Sequence, residues 1–169
     1  MKKAKSYHVG VAAEAFVAAQ FARYGFDVSV QYGANQPEYD LMVSQGDLML
    51  KISVKGSQDG GWGLTQSYKK GYSYHEAIER WLDDHGKKTV FCLVQFQNVG
   101  DSEMPRMYLV APVEIADMLK KSRAGNGETV LREYHEWKAG VAAGTIDKMP
   151  EEWAFSRLRA KEIFEKYAR

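Results

Sequence analysis

The chain has 169 residues, of which 45% are hydrophobic and 27% are charged, and its 23 basic and 22 acidic residues leave a net charge of +1. This composition is that of a folded globular protein with a core, and it excludes a disordered or fibrous chain. A near-neutral charge also excludes binding to nucleic acid through bulk positive charge, so an anionic partner needs a local basic patch.

Two features of the sequence predict a cytoplasmic protein that does not associate with membranes. Glu14 interrupts the apolar stretch near the N-terminus, where a secretory signal peptide needs a continuous run. No stretch approaches the ~20 apolar residues that cross a bilayer. The lone cysteine, Cys92, has no partner for an internal disulfide, and we expect it to pack in the core.

The first elements in chain order are a helix and a strand. Apolar residues recur at helical spacing through SYHVGVAAEAFVAAQFARYG, with Ser6 as a plausible N-cap and Gly25 where a C-terminal cap belongs. FDVSVQYG then alternates between apolar and polar residues and predicts a strand. The turn residues of GANQP predict a loop after it.

A β-hairpin is predicted next. Apolar and polar residues alternate over 39–43, and the alternation returns in LMLKISVKGS, Leu48–Ser57. SQGD, at 44–47, supplies the turn. The polar face of the hairpin then carries Glu38, Asp40, Lys51, Ser53 and Lys55.

The register of the hairpin decides which of these polar residues meet. Pairing about the predicted turn sets Val43 opposite Leu48 and Asp40 opposite Lys51. Lys55 then lies ~13 Å beyond Lys51, at ~3.3 Å per residue. Asp40 and Lys55 therefore meet only if the register shifts by two residues or the strand bends.

The middle of the chain contains a loop, a helix and a strand. Gly56–Gly63 is too rich in glycine for a regular element and predicts a mobile loop. Ser73 and Glu76 form a capping box for a helix that we expect to stop at Gly86. TVFCLVQFQ predicts a strand in the middle of the sheet, because both of its faces are apolar.

The remaining elements complete the order αβββαββα and add a C-terminal helix. MYLV predicts a strand, and Pro112 starts a short helix through Leu119. The pattern then weakens until Pro150, which opens the helix EEWAFSRLRAKEIFEKYAR. We expect a core domain at 1–122 and a helical extension at 123–169 that packs on it.

A carboxylate and a lysine that converge at a sheet edge have a specific chemical use. Aspartate binds a hard cation such as Mg²⁺ through oxygen, and an ammonium group orients or deprotonates an attacking water. Phosphodiester hydrolysis needs both, since positive charge must meet the negative charge that grows in the transition state. Taken alone, Asp40 and Lys55 could instead be charges on the wet face of an antiparallel sheet.

Three stretches of the sequence, VAAEAFVAAQFARYGFDV, PEYDLMV and LKISVKGS, carry a pattern that resembles the PD-(D/E)XK nuclease superfamily, especially its small endonuclease-like and resolvase-like members. The resemblance covers about residues 6–115. It implies that Glu14 is the helix glutamate, Asp40 the metal-binding aspartate and Lys55 the catalytic lysine, with Ser53 at the motif's Glu or Gln position. It also implies an α/β, restriction-endonuclease-like fold with a mixed central sheet flanked by helices.

Ser53 is where the chain departs from the motif of this superfamily. A neutral hydroxyl does not supply the second carboxylate charge that holds the cation, although it can support a bound water. Some restriction enzymes of the superfamily also have Ser-x-Lys, with a glutamate recruited from a nearby helix. Glu14, Glu76 or Glu38 could therefore be the second metal ligand, and a structural ion pair is the alternative for Glu14.

A second set of residues could contact nucleic acid. Lys69 and Lys70 lie in an aromatic-rich segment that suits phosphate contacts and base stacking, and an ordinary solvated loop is the alternative. His75 could contact phosphate or simply decorate the surface. Lys51, on the polar face of the hairpin, is a further candidate.

The leading prediction is a DNA endonuclease that hydrolyses phosphodiester bonds with Mg²⁺ or Mn²⁺ as cofactor and DNA as partner. Whether it acts as a homodimer is left open. A catalytically inactive member that binds DNA or a protein partner is the second hypothesis, because of Ser53. A protein-interaction module with no nucleic-acid role is the third, because the net charge is close to zero.

Overall fold

The structure, a computed structural model, describes residues 2–31, 39–85 and 89–169. Its helices and strands are, in chain order, α1 (Ser6–Arg23), β1 (Asp27–Val30), β2 (Leu41–Gln45), β3 (Leu48–Ser57), β4 (Gly61–Gly63), α2 (Tyr74–His85), β5 (Thr89–Gln95), β6 (Arg106–Val110), α3 (Pro112–Lys121), β7 (Val130–Arg132), β8 (Tyr134–Glu136), β9 (Ile146–Lys148) and α4 (Arg157–Tyr167). Glu38, Gly86 and the predicted GANQP loop lie outside the described residues.

A five-stranded sheet in the order β1-β2-β3-β5-β6 forms the centre of the protein. Strands β3 and β5 run parallel, whereas the other neighbouring pairs run antiparallel, so the sheet is mixed. The predicted α/β fold with a mixed central sheet and flanking helices is confirmed. The interior position of β5 is confirmed as well, and all seven of its residues are buried.

Two apolar cores lie against this sheet, one on each face. Because side chains alternate along a strand, Ile52 and Cys92 join one core and Phe91 and Leu93 join the other. Helices α1 and α4 pack in the first core, and α2 and α3 pack in the second. Cys92 is buried as predicted, and burial raises the pKa of its thiol. None of the described helices combines the length and apolar character that a bilayer span requires.

The hairpin between β2 and β3 has a different register from the predicted one. Val43 pairs with Leu50 rather than Leu48, and Gln45 pairs with Leu48, so the turn has two residues instead of four. Gly46 has a φ of +61°, the left-handed conformation that tight two-residue turns need. The shift by two residues moves Asp40 from beside Lys51 to the part of β3 just before Lys55, where its carboxylate accepts from the Val54 N–H.

The predicted mobile loop at Gly56–Gly63 is wrong for most of its length. Strand β3 continues to Ser57 alongside β5, and Gly61–Gly63 forms β4, which pairs with β7. Trp62 explains this order, because its large side chain is only 3% exposed and packs in the second core. The burial of Trp62 therefore keeps this segment ordered in spite of the conformational freedom of the glycines around it.

Helix ends agree with the sequence at some places and differ at others. Gly25 ends α1 with a φ of +89°, and the Phe26 N–H donates to the Phe21 carbonyl, as in a Schellman cap. The capping box of Ser73 and Glu76 is confirmed by reciprocal hydrogen bonds of 3.2 and 2.8 Å. At the start of α1, the N-cap is Lys5 rather than the predicted Ser6.

The C-terminal helix begins later than predicted. Only a single 3-10 turn, Glu151–Trp153, follows Pro150, and α4 starts at Arg157 because the Ser156 hydroxyl accepts a hydrogen bond from the Arg159 N–H at 3.0 Å. The segment before it, which lacked a clear pattern, forms strands β7, β8 and β9. The division at residues 122 and 123 stays a prediction.

Candidate active site

The candidate site lies where β2 separates from β3. Their ladder ends at the pair of Leu41 and Ile52, and the Asp40 backbone N–H still donates to the Ile52 carbonyl at 2.8 Å. At the next donor along β3, the Asp40 side chain replaces the backbone, since its Oδ2 accepts from the Val54 N–H at 2.7 Å. This hydrogen bond fixes the Asp40 carboxylate against the edge of β3.

Gly56 brings helix α1 close to the same edge of β3. A Cβ atom on Gly56 would lie 2.9 Å from Val9 Cγ1 and 3.0 Å from Ala13 Cβ, which is closer than such atoms can pack. Only glycine therefore permits this approach of the helix to the strand. Glu14, which follows Ala13, is carried to the strand edge by this contact.

Electrostatics connects Glu14 with the two residues predicted on the hairpin. Burial raises the pKa of the half-buried Glu14 carboxyl, the Asp40 carboxylate raises that pKa further, and the Lys55 ammonium lowers it. Such effects require charges near one another. The structure thus brings Glu14, Asp40 and Lys55 together, and we call these three residues the fork cluster.

Ser53 sits beside the fork cluster but supplies no charge. It is 3% exposed and pairs with Phe91 of β5. Among the described residues, no group of three or more His, Cys, Asp and Glu side chains is arranged to hold a metal ion. Within the described part of the chain, the site therefore has two carboxylates, with the buried Ser53 hydroxyl beside them.

Lys55 is exposed and lines a cavity of about 260 Å³ beside the start of α1. Ser6 and Val9 of α1 and the segment after β3 form its other walls. The Trp62 indole N–H donates to the Lys55 carbonyl at 3.0 Å, so a buried aromatic residue holds the backbone of this lysine. The sequence reasoning missed this role, although a lone tryptophan between glycines was a visible signal.

The other predicted residues lie in different surroundings. The Glu76 carboxylate accepts from the Ser73 backbone N–H and caps α2. Lys51 lies over the ring of Tyr39, with its Nζ 4.9 Å from the ring centroid. Lys69 and Lys70 lie just before α2, and His75 lies in its first turn. None of these residues is among the groups that shift the pKa of Glu14.

The donor set of the fork cluster fits Mg²⁺ or Mn²⁺. Mg²⁺ is commonly bound by one or two protein carboxylates, with water and substrate phosphate completing its shell. Asp40 and Glu14 are two such carboxylates, and the effect of Asp40 on the pKa of Glu14 shows mutual repulsion that a cation would relieve. Three protein carboxylates are not required.

The chain was compared with known proteins. Among solved structures, it is similar to Hjc, a Holliday junction resolvase from the archaeal hyperthermophile Archaeoglobus fulgidus, with 16% identity and a TM-score of 0.40 over 73% of this chain and 88% of that chain. No family model and no curated protein sequence matches the chain. A likeness this distant says nothing about what this chain binds or cleaves.

Proposed function

We propose that this protein is a metal-dependent endonuclease of the PD-(D/E)XK type that hydrolyses phosphodiester bonds in DNA. One observation carries the proposal: Asp40, fixed by the Val54 N–H at the edge of β3, and Lys55 both act electrostatically on the half-buried Glu14. Two repelling carboxylates beside a lysine are poorly paired among themselves, which is expected where a cation and an anionic substrate bind.

Each member of the fork cluster has a distinct role in this proposal. Asp40, fixed by the Val54 N–H, and Glu14 would hold Mg²⁺ or Mn²⁺. The bound ion would neutralise the phosphate and stabilise the leaving oxygen. Lys55 would orient the attacking water and add positive charge as negative charge grows on the phosphate. The Ser53 hydroxyl can accept or donate a hydrogen bond to a nearby water.

The test is nicking of supercoiled plasmid with Mg²⁺ or Mn²⁺. The Lys55→Gln substitution removes positive charge at the transition state. We expect nicking activity to fall about 10²- to 10³-fold. Asp40→Asn is expected to abolish measurable nicking, because it removes a metal ligand. Lys166→Gln on α4 is the matched control, and it should nick like wild type. Equal activity of wild type and both site variants would refute the endonuclease.

The second candidate function is a catalytically inactive member of this fold that binds DNA or a protein partner. Ser53 favours it, because a buried neutral side chain stands where the motif has Glu or Gln. Isothermal titration separates the two functions. No heat with Mn²⁺, together with intact affinity for duplex DNA, would favour the inactive binder.

A further inference from the structure

A group of cations gathers on two tyrosines around the start of α2. The Nζ of Lys69 lies 4.6 Å and the Cζ of Arg123 lies 4.3 Å from the centroid of the Tyr74 ring. The Cζ of Arg80 lies 4.2 Å from the Tyr72 ring centroid, and its Nη1 donates to the Tyr72 hydroxyl at 3.0 Å. We call this group, together with the exposed Lys70, the tyrosine platform: Lys69, Lys70, Tyr72, Tyr74, Arg80 and Arg123.

Hydrogen bonds hold Arg123 on the tyrosine platform in spite of a strained backbone. Arg123 and Ala124 have φ values of 55° and 56°, the left-handed conformation that costs most residues about 1 kcal/mol or more. Hydrogen bonds offset this cost, since the Arg123 N–H donates to Asp147 at 3.0 Å and its Nε donates to the Gly127 carbonyl at 3.1 Å. These hydrogen bonds fix the Arg123 guanidinium over the Tyr74 ring.

The turn that carries Arg123 fits closely against α2. A Cβ atom on Gly127 would lie 2.7 Å from Tyr74 Cβ, so only glycine permits this contact. The Nε2 of His75 lies 2.9 Å from the Gly125 carbonyl oxygen. Three parts of the chain, the segment before α2, α2 itself and the turn after α3, therefore form one surface.

Among the described residues, no carboxylate forms an ion pair with the cations of the tyrosine platform. Within the residues that the structure describes, the ion pairs involve other basic residues, namely Arg106, Lys120, Arg132, Lys148, Arg159 and Lys161. The nearby acids accept from groups other than these side-chain cations: Glu76 caps α2, and Asp147 accepts from the Arg123 backbone N–H and from the Trp137 indole at 2.7 Å. The positive charge of the platform is therefore available to an anionic partner.

The occupied tyrosine rings indicate which part of a nucleic acid fits. Bases that stack on a protein need an open aromatic face, but Lys69 and Arg123 already contact the Tyr74 ring and Arg80 contacts Tyr72. Ammonium and guanidinium groups held in place suit phosphate oxygens instead. The chemistry is that of the sugar-phosphate backbone, with no reading of bases.

The tyrosine platform is near the cavity that Lys55 lines. Leu64 lies in the wall of that cavity, and Lys69 follows five residues later. Their Cα atoms are therefore at most ~18 Å apart.

We propose that the tyrosine platform binds the phosphate backbone of DNA that flanks the scissile phosphate and does not read its sequence. The location relative to a scissile phosphate rests on the proposed endonuclease function, whereas the binding of phosphates does not. Within the described residues these four cations form no ion pair, and three of them, Lys69, Arg80 and Arg123, lie over tyrosine rings. These two observations carry the inference.

The test is binding of a labelled duplex of about 20 base pairs, followed by fluorescence anisotropy in EDTA from ~50 to ~200 mM salt. The double variant Lys69→Gln with Arg123→Gln is expected to bind the duplex about tenfold more weakly for each cation removed, at ~0.1 M salt. The slope of log K against log salt should also fall in magnitude by about 1.8. Duplexes of different base composition should show equal losses.

The matched control is Lys161→Gln with Lys166→Gln on α4. It removes the same charge, and Lys166 also lies over a tyrosine, 5.3 Å from the Tyr167 ring centroid. This control should retain the wild-type slope. An equal loss in both double variants would refute the platform and indicate bulk charge. The platform is also refuted if the platform variant keeps the wild-type slope of log K against log salt. Binding of polyglutamate but not of duplex DNA by the wild type would refute it as well.

Parallel nicking assays keep the two proposals apart. If wild type nicks plasmid but the platform variant binds and nicks equally well, the platform fails and the endonuclease stands. If wild type does not nick, yet the platform variant loses affinity and slope as expected, the endonuclease fails and phosphate binding stands.

Discussion

Two clusters of charged residues in this protein behave in opposite ways. In the fork cluster, burial and Asp40 raise the pKa of Glu14. In the second cluster, burial acts to raise the pKa of Glu133, but hydrogen bonds from Arg106 at 2.9 and 2.8 Å and from Tyr108 at 2.6 Å outweigh it and hold that pKa below its usual range. A satisfied carboxylate stabilises the fold, whereas an unsatisfied one is available for a ligand.

The positions of the two clusters match this difference. Glu133 connects the segment between β7 and β8 to β6, and Arg106 gives it a bidentate contact. Glu133 therefore has its hydrogen-bond partners, Arg106 and Tyr108, within the protein. Glu14 and Asp40 have like charges, and the nearby Lys55 faces a cavity. We therefore expect mutations in one cluster to lower stability, and mutations in the other to lower activity.

The largest effect on stability is expected from Glu133→Ala. It leaves the Arg106 guanidinium and the Tyr108 hydroxyl without their acceptor, at a cost of about 2 to 3 kcal/mol in the free energy of unfolding. For a chain of this size, that corresponds to a fall in melting temperature of roughly 5 to 10 °C, measurable by circular dichroism. Nicking activity well below the melting temperature should remain close to wild type.

Glu136→Ala is the matched control for Glu133. Glu136 also accepts a hydrogen bond from a tyrosine, Tyr134, at 2.7 Å, but both residues are exposed. Its removal should change the free energy of unfolding by about 0.5 kcal/mol or less. Because the pKa of Glu133 is lowered on folding, its contribution is present above its ordinary pKa and is lost as pH falls through the folded value. Equal melting temperatures of Glu133→Ala and Glu136→Ala at neutral pH would contradict the comparison.

A smaller effect on stability is expected from Gly56→Ala. The added methyl group meets Val9 and Ala13 and must push α1 away from β3, at a cost of about 1 to 3 kcal/mol. Because Glu14 moves with the helix, Mn²⁺ affinity by isothermal titration should fall too. Gly10→Ala on α1 is the control, since nothing lies within 4 Å of its added Cβ. Loss of stability with unchanged Mn²⁺ affinity would separate α1 packing from the site.

The smallest effect on stability, and one of opposite sign, is expected from Glu14→Gln. Removing a desolvated charge repelled by Asp40 should raise the melting temperature at neutral pH while lowering Mn²⁺ affinity and nicking. The folded pKa of Glu14 lies above the ordinary 4.5, so the wild type loses relative stability as pH rises through it. The gain of the variant should therefore vanish below pH 4.5.

The pH dependence of metal binding tests the same carboxyl group. Protonated Glu14 cannot ligate a cation, so wild-type Mn²⁺ affinity should fall as pH decreases through the raised pKa of Glu14. The Glu14→Gln variant should lose that part of the pH dependence, whereas Glu165→Gln on α4 should retain it. A lower melting temperature for Glu14→Gln at neutral pH would mean that Glu14 is a structural ion-pair partner instead.

Much of the architecture follows from local patterns in the sequence. Helical spacing and the capping residues Gly25, Ser73 and Glu76 predict where α1 ends and where α2 begins. The apolar run around Cys92 predicts the interior strand β5. These features depend on residues a few positions apart, and such residues interact in the same way whatever the rest of the chain does.

Other features were decided only by contacts between distant parts of the chain. The burial of Trp62 against β6 and β7 turned a glycine-rich stretch into β4. The resemblance predicted that Glu14, Asp40 and Lys55 form one site, but their proximity depends on the close contact of α1 at Gly56. Packing of this kind joins residues about 40 positions apart, and no local periodicity records it.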